Sequence, residues 1–166
     1  MQELSLEEIR TKAFQFHENN TVWHFHILTP KCKFNKKSLY AFVLEGEDGA
    51  QRFIHYSKLP PNDLGKELAP LAHKSKVLDQ KTTDVDYIPS ETIKKIIDRA
   101  RELNQQSIEW HHHVTFPGCQ FNTNNSRFTL IFEDPETGDT IENASEKEPI
   151  NDLKQIEPLF YSQTKI

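Results

Sequence analysis

One segment of this chain occurs twice. Trp23-His24-Phe25-His26-Ile27-Leu28-Thr29-Pro30-Lys31-Cys32-Lys33-Phe34-Asn35 is followed 87 positions later by Trp110-His111-His112-His113-Val114-Thr115-Phe116-Pro117-Gly118-Cys119-Gln120-Phe121-Asn122, with Trp, both His, Pro, Cys, Phe and Asn in register. The only two tryptophans and the only two cysteines of the 166 residues fall at equivalent places, which reads as an internal duplication. A chain so repeated is expected to build two like units.

The repeat extends to the flanking elements. Ser5-Leu6-Glu7-Glu8 has the form of a capping box, and Leu6, Ile9, Ala13 and Phe16 then recur at helical spacing, predicting a helix from Leu6 to His17. Ser90 offers the matching N-cap, and Ile93, Ile96, Ala100 and Leu103 repeat the apolar stripe 87 positions on. Val22 to Leu28 and Ile108 to Phe116 alternate in the manner of strands, so Trp23, Phe25 and Ile27 share one face and His24 and His26 the other. His111 and His113 stand likewise opposite Trp110 and Val114. Pro30 and Pro117 should end these strands, leaving Cys and Phe-Asn in a turn whose Asn amide bonds nearby backbone.

Ser38 to Glu45 and Ser126 to Glu133 read as second strands, with the two Glu in matching places once one residue is inserted. Turns at Gly46-Glu47-Asp48-Gly49 and Pro135-Glu136-Thr137-Gly138-Asp139 lead to third strands near Arg52 to Tyr56 and Thr140 to Asn143. Asn62-Asp63-Leu64 and Asn151-Asp152-Leu153 look like starts of short closing helices, followed by Pro70-Leu71 and Pro158-Leu159. The expected architecture is α+β with pseudo-two-fold symmetry, each unit a helix with a three-stranded antiparallel sheet, the two packed into one domain. The units divide as 1–80 and 89–166, with a linker at 81–88 and room for a short strand at Val85 to Ile88. At the level of fold alone this layout is similar to the duplicated βαβββ metalloenzymes, with two departures: no strand is expected before the first helix, and the His positions do not match.

Composition narrows the function classes. Net charge is −5, and a division near Ile88 gives 12 basic and 12 acidic residues before it against 8 and 13 after it. With no basic stripe among aromatics, nucleic acid is not an expected partner. No apolar run approaches a membrane span, and the start Met1-Gln2-Glu3-Leu4-Ser5 is polar where a secretory signal would be basic and then apolar, so the expected location is the cytoplasm, away from membranes. Two cysteines make no disulfide framework there; they are buried small residues, metal ligands or nucleophiles.

Two His at i and i+2 on a strand project the same way with Cα atoms roughly 6.5 to 7 Å apart, close enough for both imidazoles to reach one metal ion. The Cys beyond the proline corner supplies a third ligand. This gives His24, His26 and Cys32, and equivalently His111, His113 and Cys119, as candidate metal ligands, with zinc or iron the expected ion. Glu45 and Glu133 are candidate acid/base groups or ligands. Cys32 is also a candidate catalytic nucleophile: Lys31, Lys33, Lys36 and Lys37 surround it with positive charge that would lower its pKa, and His24 or His26 could act as its base. The same residues also fit a plainer role, with the four His on a half-exposed sheet face and the Cys filling a tight corner.

Three functions therefore stand open: a metal-binding protein or hydrolase-like metal-dependent enzyme, a Cys-His hydrolase centred on Cys32, and a non-catalytic module that binds a small molecule or a protein partner through its acidic second half.

Overall fold

The computed structural model describes residues 1–46, 50–72, 86–124 and 126–163. The elements run β1 (Gln2–Glu3), α1 (Leu6–Glu18), β2 (Trp23–Leu28), β3 (Tyr40–Gly46), β4 (Arg52–Ser57), α2 (Asn62–Ala72), α3 (Glu91–Gln105), β5 (His111–Thr115), β6 (Phe128–Glu133), β7 (Thr140–Ser145) and α4 (Ile150–Tyr161). From α1 onward the second half repeats the order of the first: helix, three strands, helix. The fold is α+β, with a four-stranded mixed sheet ordered β1-β4-β3-β2 and a three-stranded antiparallel sheet ordered β5-β6-β7.

The helices form where their caps dictate. Ser5 Oγ accepts from the Glu8 backbone N–H at 3.1 Å while Glu8 accepts from the Ser5 N–H at 3.1 Å, and Ser90 Oγ accepts from the Ile93 N–H at 3.2 Å. Both leading helices end alike, on a non-glycine residue at positive φ: Asn20 (55°) and, 87 positions on, Ser107 (56°). The next residue's N–H returns to the last turn, Thr21 to Phe16 O at 2.8 Å and Ile108 to Leu103 O at 2.9 Å, the Schellman closure.

Several expectations shift. A strand does precede α1: β1 pairs in parallel with β4, Gln2 beside Phe53 and Glu3 beside Ile54. Strand β5 begins only at His111, because the side chain of Gln163 takes both backbone groups of Trp110, accepting from its N–H at 2.8 Å and donating to its C=O at 3.0 Å. Both closing helices run past their prolines, Pro70 and Pro158. An interior proline costs roughly 3 kcal/mol of helix stability; the residues kept in place beyond these two, Ala72 and Phe160, are buried. Asp86 to Ile88 form no strand, while Val85, most of the linker and the turn at 47–49 lie outside the described residues.

Both tryptophans are fully buried in one apolar core with Ile9, Phe42, Ile93 and Phe132. The edge strands β2 and β5 lie alongside one another where the two sheets meet. Helices α2 and α4 approach there too: Gly65 sits so close to Ile27 and Tyr161 that an added Cβ would come within 3.0 Å of each. Residues related by the 87-residue spacing meet across this seam, His26 with His113 (ring centroids 5.8 Å) and Phe34 with Phe121 (5.1 Å).

Candidate metal centre

Register places the first two ligands of each cluster. In the antiparallel pair β2–β3, His24 stands opposite Glu45, and in β5–β6 His111 stands opposite Glu133, so each imidazole shares a sheet face with a carboxylate. His24 Nε2 lies 3.2 Å from Glu45 Oε2; His111 Nε2 contacts Glu133 Oε2, and His113 Nε2 is 3.2 Å from the same oxygen. His26 and His113 join from two residues along.

The proline corners place the thiols. After β2, Cys32 N–H bonds Thr29 O at 3.0 Å and Asn35 N–H bonds Cys32 O at 2.9 Å; after β5, Cys119 and Asn122 repeat both bonds to Phe116 O and Cys119 O at 3.0 Å each. The Asn amides pin the corners: Asn35 Nδ2 donates to Thr29 O (2.9 Å) and Leu39 O (2.6 Å), Asn122 Nδ2 to Phe116 O (2.9 Å) and Arg127 O (2.7 Å). A turn held at both ends has little freedom in where it presents its Sγ.

That presentation crosses the seam. Cys32 lies 3.3 Å from His113 Nε2, and Cys119 lies 3.4 Å from His26 Nε2. The grouping expected from sequence, Cys32 with His24 and His26, is thus corrected: each corner leaves the end of an edge strand and meets the neighbouring edge strand. The two groups are His24, His26, Glu45 and Cys119, and Cys32, His111, His113 and Glu133; in each, four ligand atoms lie within 4.8 Å of one another and could hold a metal ion. Nor do the four His line a half-exposed face. All eight residues are buried, Glu45 and His26 almost completely.

With bonds of about 2.0 to 2.3 Å, tetrahedral zinc holds its ligand atoms roughly 3.3 to 3.6 Å apart; two separations in each cluster fall at 3.2 to 3.4 Å, and the others lie within 4.8 Å. His24 Nε2, Glu45 Oε2 and His111 Nε2 are fully buried, and each meets its polar partner inside its own cluster, His24 with Glu45 and His111 with Glu133.

Electrostatics fit a cation. Burial pushes both thiols well up, aided at Cys119 by the charge of Glu45 and at Cys32 by a hydrogen bond and the charge of Glu133. Burial holds His26 well below its usual range, helped by the neighbouring imidazoles, and takes His113 down to about 4 despite its hydrogen bond to Glu133. Burial alone would raise the two carboxyls, but the hydrogen bonds from His24 to Glu45, and from His111 and His113 to Glu133, hold both below the ordinary carboxylate value. His26 and His113, held neutral, are already in ligand form, and a bound cation deprotonates a coordinating thiol. Two neutral and two anionic ligands would then balance a divalent ion.

This corrects the nucleophile reading of Cys32. Lys31, Lys33, Lys36 and Lys37 are exposed, where solvent screens their charge, while the thiol is only 4% exposed. A buried neutral thiol is a poor nucleophile. Glu45 and Glu133 are placed as carboxylates within the clusters.

The fold and the clusters define a class, an α+β chain carrying two buried His-His-Glu-Cys groups able to hold metal, and no helix among the described residues is long and apolar enough to cross a membrane. Compared with family models, curated proteins and solved structures, the chain matches none of them.

Proposed function

We propose that this is a metal-binding protein of duplicated origin that holds two transition-metal ions, zinc or iron, one in each His-His-Glu-Cys cluster. The observation that carries this reading is the convergence of four buried ligand atoms within 4.8 Å of one another, twice. Imidazole, carboxylate and thiolate together suit zinc and ferrous iron better than the all-oxygen sites of magnesium or calcium. Reduced cysteines as ligands accord with a cytoplasmic setting. A site with access for substrate would supply hydrolase-like chemistry, in which a bound ion lowers the pKa of water.

Protein purified without a His tag should contain two equivalents of metal by elemental analysis. Because the thiols are exchanged across the seam, Cys32→Ser with His111→Ala removes two ligands from one site and should leave one ion, whereas Cys32→Ser with His24→Ala should leave none. The reverse pattern would restore the uncrossed grouping. Metal-free native protein, unchanged in stability by these substitutions, would sink the reading in favour of an interaction module.

A further inference from the structure

The two clusters are alike in ligands and unlike in access. At the first, Phe116 stacks flat on His24 with ring centroids 4.3 Å apart and planes 10° apart. Gln120 also donates to Glu45 Oε1 at 3.3 Å and is itself held by Arg52 at 3.4 Å. The cavity that reaches His24 measures only about 40 Å³.

At the second cluster, the 87-residue spacing puts Thr29 where the first has Phe116, and Lys33 where it has Gln120. Thr29 Oγ1 merely touches the rear of His111, 3.4 Å from Nδ1. With the aromatic plug and the amide latch both gone, His111 and Glu133 line a cavity of about 580 Å³, the size of a small-molecule site.

Of the carboxylates around that cavity, Asp134 is paired with Arg99 at 2.8 Å and Glu133 would be balanced by the ion of its cluster, which leaves Glu109, still charged while it accepts from the Tyr40 hydroxyl at 2.9 Å, against two lysines. Lys31 and Lys33 also line it; among the described residues neither forms an ion pair, and Lys33 lies 5.0 Å from the centre of the Phe34 ring. The geometry points to a division of labour, with the His24 cluster a closed structural site and the His111 cluster an exchangeable one that binds a small organic anion, a carboxylate or a phosphate ester, between its metal ion and Lys31 and Lys33. This rests on the metal reading above. Zinc-type ions expand to five ligands, so the anion needs no protein ligand to leave.

Cobalt-loaded protein tests it, since a ligand entering the coordination sphere changes the visible absorption of the ion. Inorganic phosphate and acetate, titrated separately against a chloride control, should perturb the spectrum of the parent and of His24→Ala but leave His111→Ala unchanged; the stronger of the two names the anionic group preferred. Lys31→Gln with Lys33→Gln should weaken the response about tenfold while cobalt content stays at two. Thr29→Phe, which copies residue 116, should abolish it with cobalt retained. A response at both sites alike, an undiminished response without the lysines, or a fully loaded protein silent to both anions overturns the inference and leaves the metal reading standing. Failure to load cobalt at all overturns both, and metal content tells the two failures apart.

Discussion

At the scale of single residues, buried ionisable groups lie outside the clusters as well. Both carboxylate oxygens of Glu148 are buried without a hydrogen bond, and burial together with the charge of Glu157 raises its pKa to about 9. Burial raises Glu157 to about 8. The two line the small cavity at the α2–α4 junction with Tyr161, His24 and His112. An unfolded Glu titrates near 4.3, so between that pH and about 8 to 9 the folded state binds more protons than the unfolded state, and stability must fall as pH rises. The contribution is fully present below about pH 4 and lost through pH 8 to 9. Glu157→Gln removes one titration and part of the cause of the other. Denaturant midpoints measured from pH 5 to 9 on chelator-treated protein should therefore fall less steeply in the variant than in the parent, and parallel curves would show that these carboxyls ionise in the folded state as they do in water.

At the scale of elements, the two halves solve the same local problems with the same devices, even where a better residue exists. The left-handed residue that closes α1 and α3 is Asn20 in one and Ser107 in the other, where glycine carries no Cβ penalty. Asn tolerates this conformation through its short polar side chain, and Ser does so less well. Ser107→Gly is expected to stabilise the protein by about 0.5 to 1 kcal/mol, and Asn20→Gly by less. Thermal or urea melts of the two variants check the ranking. If Ser107→Gly destabilises, the flexibility glycine adds to the unfolded chain outweighs the relief of strain.

At the scale of the whole molecule, the exchanged thiols make each proposed ion a cross-link between halves that are otherwise joined by packing along the β2–β5 seam and between α2 and α4. Ions that bind only the folded chain stabilise it by mass action, about 2.7 kcal/mol per site when free metal stands at a hundred times its Kd. Stripping metal with a strong chelator should lower the melting temperature, and restoring zinc should raise it again with the two halves unfolding in one transition, because each site takes ligands from both halves. Two separate unfolding transitions in the zinc-loaded protein would mean that metal does not cross-link the halves.

The sequence by itself determined what depends on near neighbours. The capping box at Ser5, the cap at Ser90, the apolar stripes, the His-x-His alternation and the proline corners clamped by Asn35 and Asn122 are all short-range chemistry, and each was legible as a residue pattern. The matched positions of Glu45 and Glu133 carried a further signal, since a carboxylate opposite a His in a hairpin is a matter of counting back from the turn. What remained was settled by contacts far apart in the chain. The parallel pairing of β1 with β4 joins segments about fifty residues apart. The survival of α2 and α4 past their prolines, and the late start of β5 under the side chain of Gln163, depend on how the helices dock. Above all, which cysteine joins which histidines follows from the way two edge strands meet. A repeated sequence states each half twice, and says nothing about whether a corner turns back to its own strand or reaches across to its copy.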